Sequence, residues 1–346
     1  MNDGLPLPDI HRRATVLDGH SDVPLDVMKR RRAGEREVLF THHLPSWKAG
    51  GVNGAILTVA GDEMQPGAES PLVYALQAAE AVRSDIQEHA ESLALVTTAD
   101  ELVAAVKADR FAIALNVEGS RPLGGDVENL YRLHEAGVRF MTLTWNYPNE
   151  VGEGAAYGDH DGGLTPFGRD VVHAMAELGM VTDLSHASPQ TFWDAVSLKT
   201  GNLVVSHSNA SALKPHVRNI DDEQLRAIAA QDGYVGVCFY PGFLQGGHPD
   251  VSDVVDQIGY IADLAGIDHV AIGPDFIDYA LEEVVAHISA SGVDYGANFV
   301  YPAGLETVRS LGNLTGAMAR RGFDEASIVK VLGGNILRLF RRVCGA

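Results

Sequence analysis

Short apolar runs recur along the chain: TVLDGH, GAILTVA, FAIALNVE, VRFMTLTW, MVTDLSH, LVVSHS, YVGVCFY and HVAIGPD. Each is rich in Val, Ile or Leu and lacks strict polar alternation, the pattern of strands covered on both faces. Helical spacing fills the intervals. In ESPLVYALQAAEAVRSDIQEHA, Leu72, Leu76, Ala79, Val82 and Ile86 share one face, and Ser70 before Pro71 reads as an N-cap with proline at the first helical position. Strands alternating with helices predict a parallel α/β sheet. Eight such repeats predict closure into a (β/α)8 TIM-type barrel, formed as a single domain over residues 1–346. A doubly wound open sheet is the alternative, but no G-x-G-x-x-G follows a strand to open a helix, and there is no P-loop. Extended loops are expected at the C-terminal face, namely NEVGEGAAYGDHDGGLTPFG after the fourth run and SASGVDYGANFVYPAG after the eighth.

Composition narrows the classes. The chain carries 26 Lys and Arg against 46 Asp and Glu, a formal charge of −20 that repels phosphate backbones, so nucleic acid is not an expected partner. The basic run Lys29–Arg32 reads as a solvated helix face. Cys238 and Cys344 are the only cysteines, too few for a disulfide framework or a four-cysteine zinc site, and they fit a reducing compartment. The first residues lack the apolar core of a signal peptide, and no run of 18 apolar residues occurs. A cytoplasmic protein without a membrane partner is expected.

A barrel of this kind builds its active site from the C-terminal ends of its strands. Those ends carry His20 and Asp22, then Glu118, His186, His207 and Asp275. Burying three imidazoles and three carboxylates together without a cation would leave unpaired charge costing several kcal/mol. A divalent metal removes that cost, and imidazole with carboxylate suits zinc. Five ligands exceed what one catalytic tetrahedral ion with an open position uses; two ions sharing a bridging carboxylate employ them all. His20 and Asp22 stand two apart, so a pleated strand aims both at one face with Ser21 turned away.

These residues and the stretches DGHSD, NVEGS, LTPFGRDVVHAMAELGMVTDLSHAS, VVSHSNA, RNIDDEQLRAIA, IGPDF and GGNILRLFRRV resemble the membrane (renal) dipeptidase family of zinc peptidases, within the amidohydrolase-like barrels. The likeness runs from about Val16 to Val343. It implies that His20 and Asp22 hold one Zn2+, that His186 and His207 hold the other, and that Glu118 and a hydroxide bridge the pair. It further implies that Asp275 is the general acid/base and that Arg218, in HVRN, contacts the terminal carboxylate of a dipeptide, including dipeptides with a C-terminal D-residue. Homodimers are common in the family, and two-fold association is the general default.

One position departs from the family. Trp145 stands where better-known members carry a substrate-polarising His, and indole offers one N–H donor with no proton to exchange near neutral pH. Asn146, or His160 in the glycine-rich loop, is a candidate replacement donor, with Trp145 lining the pocket wall. Two other readings compete: a lactonase or phosphotriesterase-like hydrolase bridged by a carboxylated lysine, and a metal-binding barrel that has lost activity. The lysines, Lys29, Lys48, Lys107, Lys199, Lys214 and Lys330, all fall away from the strand ends, which leaves Glu118 to bridge.

Overall fold

The computed structural model describes residues 7–62, 70–157, 160–277, 279, 293 and 299–345. Its strands are β1 (Leu17–Ser21), β2 (Gly54–Gly61), β3 (Leu93–Leu95), β4 (Phe111–Glu118), β5 (Val138–Thr142), β6 (Val181–Asp183), β7 (Leu203–Ser208), β8 (Val235–Val237) and β9 (Val270–Ile272). Each predicted run contains one barrel strand. They pair in parallel in the order β1-β2-β4-β5-β6-β7-β8-β9, and a parallel bridge between Ser21 and Phe276 links the last strand to the first. The fold is a (β/α)8 barrel. β3 lies off this path against β4; its apolar stretch LAL is only three residues long and was not among the predicted runs.

Side-chain parity divides the core into two layers. On β4, Ile113, Leu115 and Val117 pack in the outer layer under the helices, while Ala112 and Ala114 belong to the cluster inside the barrel, with Asn116 and Glu118 continuing that inner row. Leu17, Ile56, Phe140, Val181, Val204, Tyr234 and Ala271 belong to the same cluster, joined by Ile336, Leu339 and Phe340 of the helix Asn335–Cys344. That helix plugs the N-terminal mouth, so polar chemistry has room only at the other end. Asn335 ties it in place by donating to the carbonyls of Ile267 and Val270.

Local details depart from the expected pattern. The helix Pro71–Glu88 forms, but its buried stripe is Ala75, Ala78, Ala79, Val82 and Ile86, with Leu72 and Leu76 half-buried; Ser70 has extended backbone and makes no side-chain cap bond. The basic run on the helix Val23–Arg32 is ion-paired, Arg30 with Asp26 and Glu35, Arg31 with Asp85 and Glu88. Most of the loop expected after the eighth run lies outside the described residues. Among the described residues, no helix is long and apolar enough to cross a membrane.

Candidate metal centre

Strand irregularities sit where the candidate ligands emerge. The register of β1 shifts between Asp18 and Ser21, and that of β7 between Val205 and Ser208, so His20 and His207 each leave a strand beside a bulge that re-aims the side chain. Asp22 is not a strand residue: it is the N-cap position of the following helix, with no side-chain cap bond. The convergence of His20 and Asp22 therefore comes from the bulge and helix start together, rather than from the pleat alone. His186 and Asp275 have φ of 65° and 60°, the left-handed region that costs non-glycine residues about 1–3 kcal/mol and recurs at functional sites.

Glu118 is at the centre. Its Oε1 lies 3.3 Å from His20 Nε2, 3.1 Å from His186 Nε2 and 3.3 Å from His207 Nε2. His20 Nε2 is also 3.6 Å from Asp22 Oδ1 and 4.0 Å from Asp275 Oδ1. His186 and His207 approach Nε2 to Nε2 at 2.9 Å. Two groups thus share His20: one with Glu118 and His207, the other with Asp22 and Asp275. All six side chains predicted at the strand ends meet at one mouth.

Burial dominates the electrostatics of this cluster. It pushes Asp22 up to about 6, against the pull of His20, and lifts Glu118 well above the carboxylate range, where Asp22 and Asp275 add to the effect. Asp275 is raised for the same first reason. Beneath them, Asp18 is pushed up to about 8 by burial, although the His20 N–H donates to it. His186 and His207 are driven well below the ordinary histidine value, by burial first and then by the nearby Arg218 guanidinium and the other imidazoles.

The donor set fits divalent cations. His186 Nδ1 donates to Asn146 Oδ1 at 2.8 Å, and His207 Nδ1 lies 2.8 Å from Ser206 Oγ, whose own proton goes to Asp183. Both Nε2 atoms therefore present lone pairs to each other and to Glu118, an arrangement that repels unless positive charge lies among them. Both ring nitrogens of His20 and Asp22 Oδ1 are buried without a hydrogen-bond partner among the described residues. Orphaned acceptors converging in this way are what a metal ion satisfies.

Around the cluster stand the other candidates. Arg218 is buried; its Nη2 donates to the His207 carbonyl at 3.3 Å, its Nε has no partner, and its guanidinium carbon lies 5.4 Å from the centre of the Phe243 ring. Trp145 stacks on His186 with ring centres 5.8 Å apart and joins Cys238, Tyr240 and Phe243 in an apolar wall. Asn146 is fully buried with its oxygen engaged by His186. His160 is exposed.

Besides Asp18, sequence reasoning missed the buried carboxylates Asp62 and Asp183. Asp62, just past β2, accepts from the backbone N–H groups of Arg121 and Trp145 and from the Asn149 side chain, tying together the loops beyond β4 and β5. Gly119 at φ 102° packs so close that a Cβ there would stand 2.2 Å from Asp62. Asp183 ends β6 and collects hydroxyl and N–H donors from Thr142, Ser185 and Ser206. Asp62 follows a strand, where a lone Asp reads as a helix cap, and Asp183 lies inside the apolar run MVTDLSH, where nothing marks its role.

The family described as membrane dipeptidase (peptidase family M19) matches residues 7–345. Dipeptidase tcpJ of Claviceps purpurea is 30% identical over 259 residues, 74% of this chain and 56% of that protein. Dipeptidase aclJ of Aspergillus oryzae is 33% identical over 234 residues, 66% of this chain and 51% of that protein. The chain thus spans about half the length of the curated relatives it matches. Among solved structures, an amidohydrolase from Pseudomonas aeruginosa superposes with a TM-score of 0.85 at 26% identity, covering 98% of this chain and 99% of that one. A metallopeptidase from Rhodobacter sphaeroides, liganded with a phosphinate mimic of the dipeptide L-Ala-D-Ala, gives 0.81 at 25% identity, covering 95% and 99%.

Proposed function

Because the chain belongs to the membrane dipeptidase family, we propose that it is a binuclear zinc dipeptidase, with His20 and Asp22 holding one ion, His186 and His207 the other, and Glu118 bridging. The observation that carries this reading is Glu118 Oε1 within 3.3 Å of three imidazole nitrogens, a position from which one carboxylate serves two cations. None of the six lysines is buried, so a carboxylated lysine has no place in the cluster. When bound, paired divalent ions lower the pKa of water toward 7 and polarise a carbonyl.

The chain's own residues supply the rest. Asp275, held near His20 and raised by burial, takes a proton from the attacking water and returns it to the leaving amine nitrogen. Arg218 makes no ion pair among the described residues, and a buried guanidinium without a carboxylate favours one brought by the substrate. A carboxylate clamp anchored beside His207 selects peptides of two residues, because a longer chain puts its terminal charge elsewhere. Asn146 orients His186, and Trp145 forms an apolar side of the pocket and excludes water. Two free cysteines agree with a cytoplasmic site of action, and two-fold association is the default assembly.

The test pairs metal content with turnover. Protein reconstituted with zinc should hold two equivalents and hydrolyse L,L or L,D dipeptides, and chelation should abolish hydrolysis. Fewer than two equivalents, or full turnover after chelation, overturns the reading.

A further inference from the structure

Asp183 closes β6 inside the barrel and is 1% exposed. Every group the structure brings to it is a neutral donor. Oδ1 accepts from the N–H of Ser185 at 3.0 Å, the N–H of Ser206 at 2.9 Å and the Ser185 hydroxyl at 2.9 Å. Oδ2 accepts from the hydroxyls of Thr142, at 3.0 Å, and Ser206. A serine hydroxyl has one proton, so Ser206, having given its proton to Asp183, turns only lone pairs toward His207 Nδ1, 2.8 Å away. Nδ1 must then carry the imidazole proton. Nε2 is left with the lone pair that faces Glu118. The Ser185 hydroxyl, also committed to Asp183, accepts from the His207 backbone N–H at 3.1 Å and holds the strand end. The backbone here cannot drift: a Cβ on either Gly236 or Gly273 would stand 1.9 Å from the Ser206 carbonyl oxygen.

We infer that Asp183 is a positioning residue that, through Ser206, fixes His207 in the Nδ1-protonated tautomer and so presents Nε2 to the ion shared with His186. The inference rests on the metal pair proposed above, and its chemistry belongs to Asp183 and Ser206, which do not touch that ion. Partners of this kind typically govern metal affinity by 10- to 100-fold.

Asp183→Asn tests it because the replacement keeps shape while reversing one hydrogen bond. The new amide oxygen still accepts from the two backbone N–H groups, and its NH2 falls where Oδ2 stood. That NH2 donates to Ser206 Oγ, whose proton then points at His207 Nδ1 and drives the imidazole proton onto Nε2. Stepwise zinc affinities, measured by competition with a chromophoric chelator, should show one site weakened about 10- to 100-fold and the other nearly unchanged. Ser206→Ala removes the relay and leaves His207 free to choose its tautomer, so its loss should be smaller. The double variant Asp183→Asn/Ser206→Ala should bind the weakened ion more tightly than Asp183→Asn alone. A carboxylate that served only packing would show added damage instead of rescue.

Thermal unfolding of the metal-free proteins separates misfolding from altered affinity. Should Asp183→Asn fail to fold, Ser206→Ala alone still decides, and unchanged zinc affinity in it overturns the inference. Wild-type affinities in Asp183→Asn, or no rescue in the double variant, overturn it as well. A wild-type protein that binds fewer than two equivalents overturns the metal pair itself, a failure seen before any variant is made.

Discussion

At the scale of single residues, the site separates into groups whose loss has different kinetic signatures. Asp275 lies at the edge of the cluster, with Cys238 Sγ 3.9 Å from Oδ2, and takes no part in the approach of the three imidazoles to Glu118. Asp275→Asn should keep its metal and lose about 10²- to 10⁴-fold in kcat, the usual worth of a positioned proton carrier. Ordinary turnover in fully loaded protein would remove Asp275 from the reaction. Arg218 acts at the other end of the substrate. Replacing it with Met keeps an unbranched apolar stem and deletes the charged guanidinium that stands over the Phe243 ring. Losing one partner of a buried charge pair costs about 2–5 kcal/mol, so KM for dipeptides should rise roughly thirty-fold or more, with a smaller change in kcat. A dipeptide amide, lacking the terminal carboxylate, should be a poor substrate of the wild type and nearly insensitive to Arg218→Met. Equal sensitivity of acid and amide would place Arg218 elsewhere in the chemistry.

At the scale of elements, what could be read from sequence was what depends on alternation. Apolar runs located every barrel strand, because a strand covered on both faces must be continuous in Val, Ile and Leu, and the polar residues at the ends of five of them, His20, Glu118, His186, His207 and Asp275, fell at the mouth. Bulges have no such signature, so the route by which His20 and Asp22 converge, through a register shift and a helix start, was not visible. Nor were the supports. Asp62 looks like a helix cap and Asp183 like one more strand residue until the fold shows donors from distant elements closing on them. The helix Asn335–Cys344 entered the sequence reading only as GGNILRLFRRV, a stretch shared with the family, with no sign that its apolar side enters the barrel. Its position makes a prediction about elements. Phe340 is 1% exposed and packs 5.5 Å from Phe140 between ring centres, at the mouth opposite the metal cluster. Phe340→Ala should cost about 3–5 kcal/mol of unfolding free energy, as truncation of a core aromatic does. Zinc content and kcat per folded molecule should stay at wild-type values. A matching loss of zinc would mean that the plug positions the ligands, and not only the barrel wall.

At the scale of the whole molecule, the cluster makes stability depend on metal and pH together. Without cations, the fold holds carboxyl groups whose pKa values burial has raised: Asp18 up to about 8, Asp22 up to about 6 and Glu118 well above its usual range. The unfolded chain ionises these groups near pH 4. Between pH 4 and the raised values the folded state binds more protons than the unfolded state, so this contribution is present at lower pH and is lost as pH rises through the folded pKa. Histidines pull the other way only where unfolded imidazole is protonated, below about pH 6.5, since His186 and His207 are neutral in the fold. From pH 7 to 9 those two imidazoles therefore contribute nothing, while the carboxyl groups and the thiols do. Burial raises Cys238 and pushes Cys344 up to about 12, which adds stability loss of the same sign as the unfolded thiols ionise, but equally with and without metal. Chelator-stripped protein should lose stability from pH 7 to 9 by about 1.4 kcal/mol per pH unit for each excess proton, read from urea midpoints. Zinc-loaded protein, whose ligands are held ionised by the cations, should show a shallower slope across the same window. Asp18→Asn removes the group that titrates within the window, and it should flatten the stripped protein's curve toward the loaded one. Identical slopes for stripped and loaded protein would mean that the carboxyl cluster is ionised without its cations, and that some other charge satisfies it.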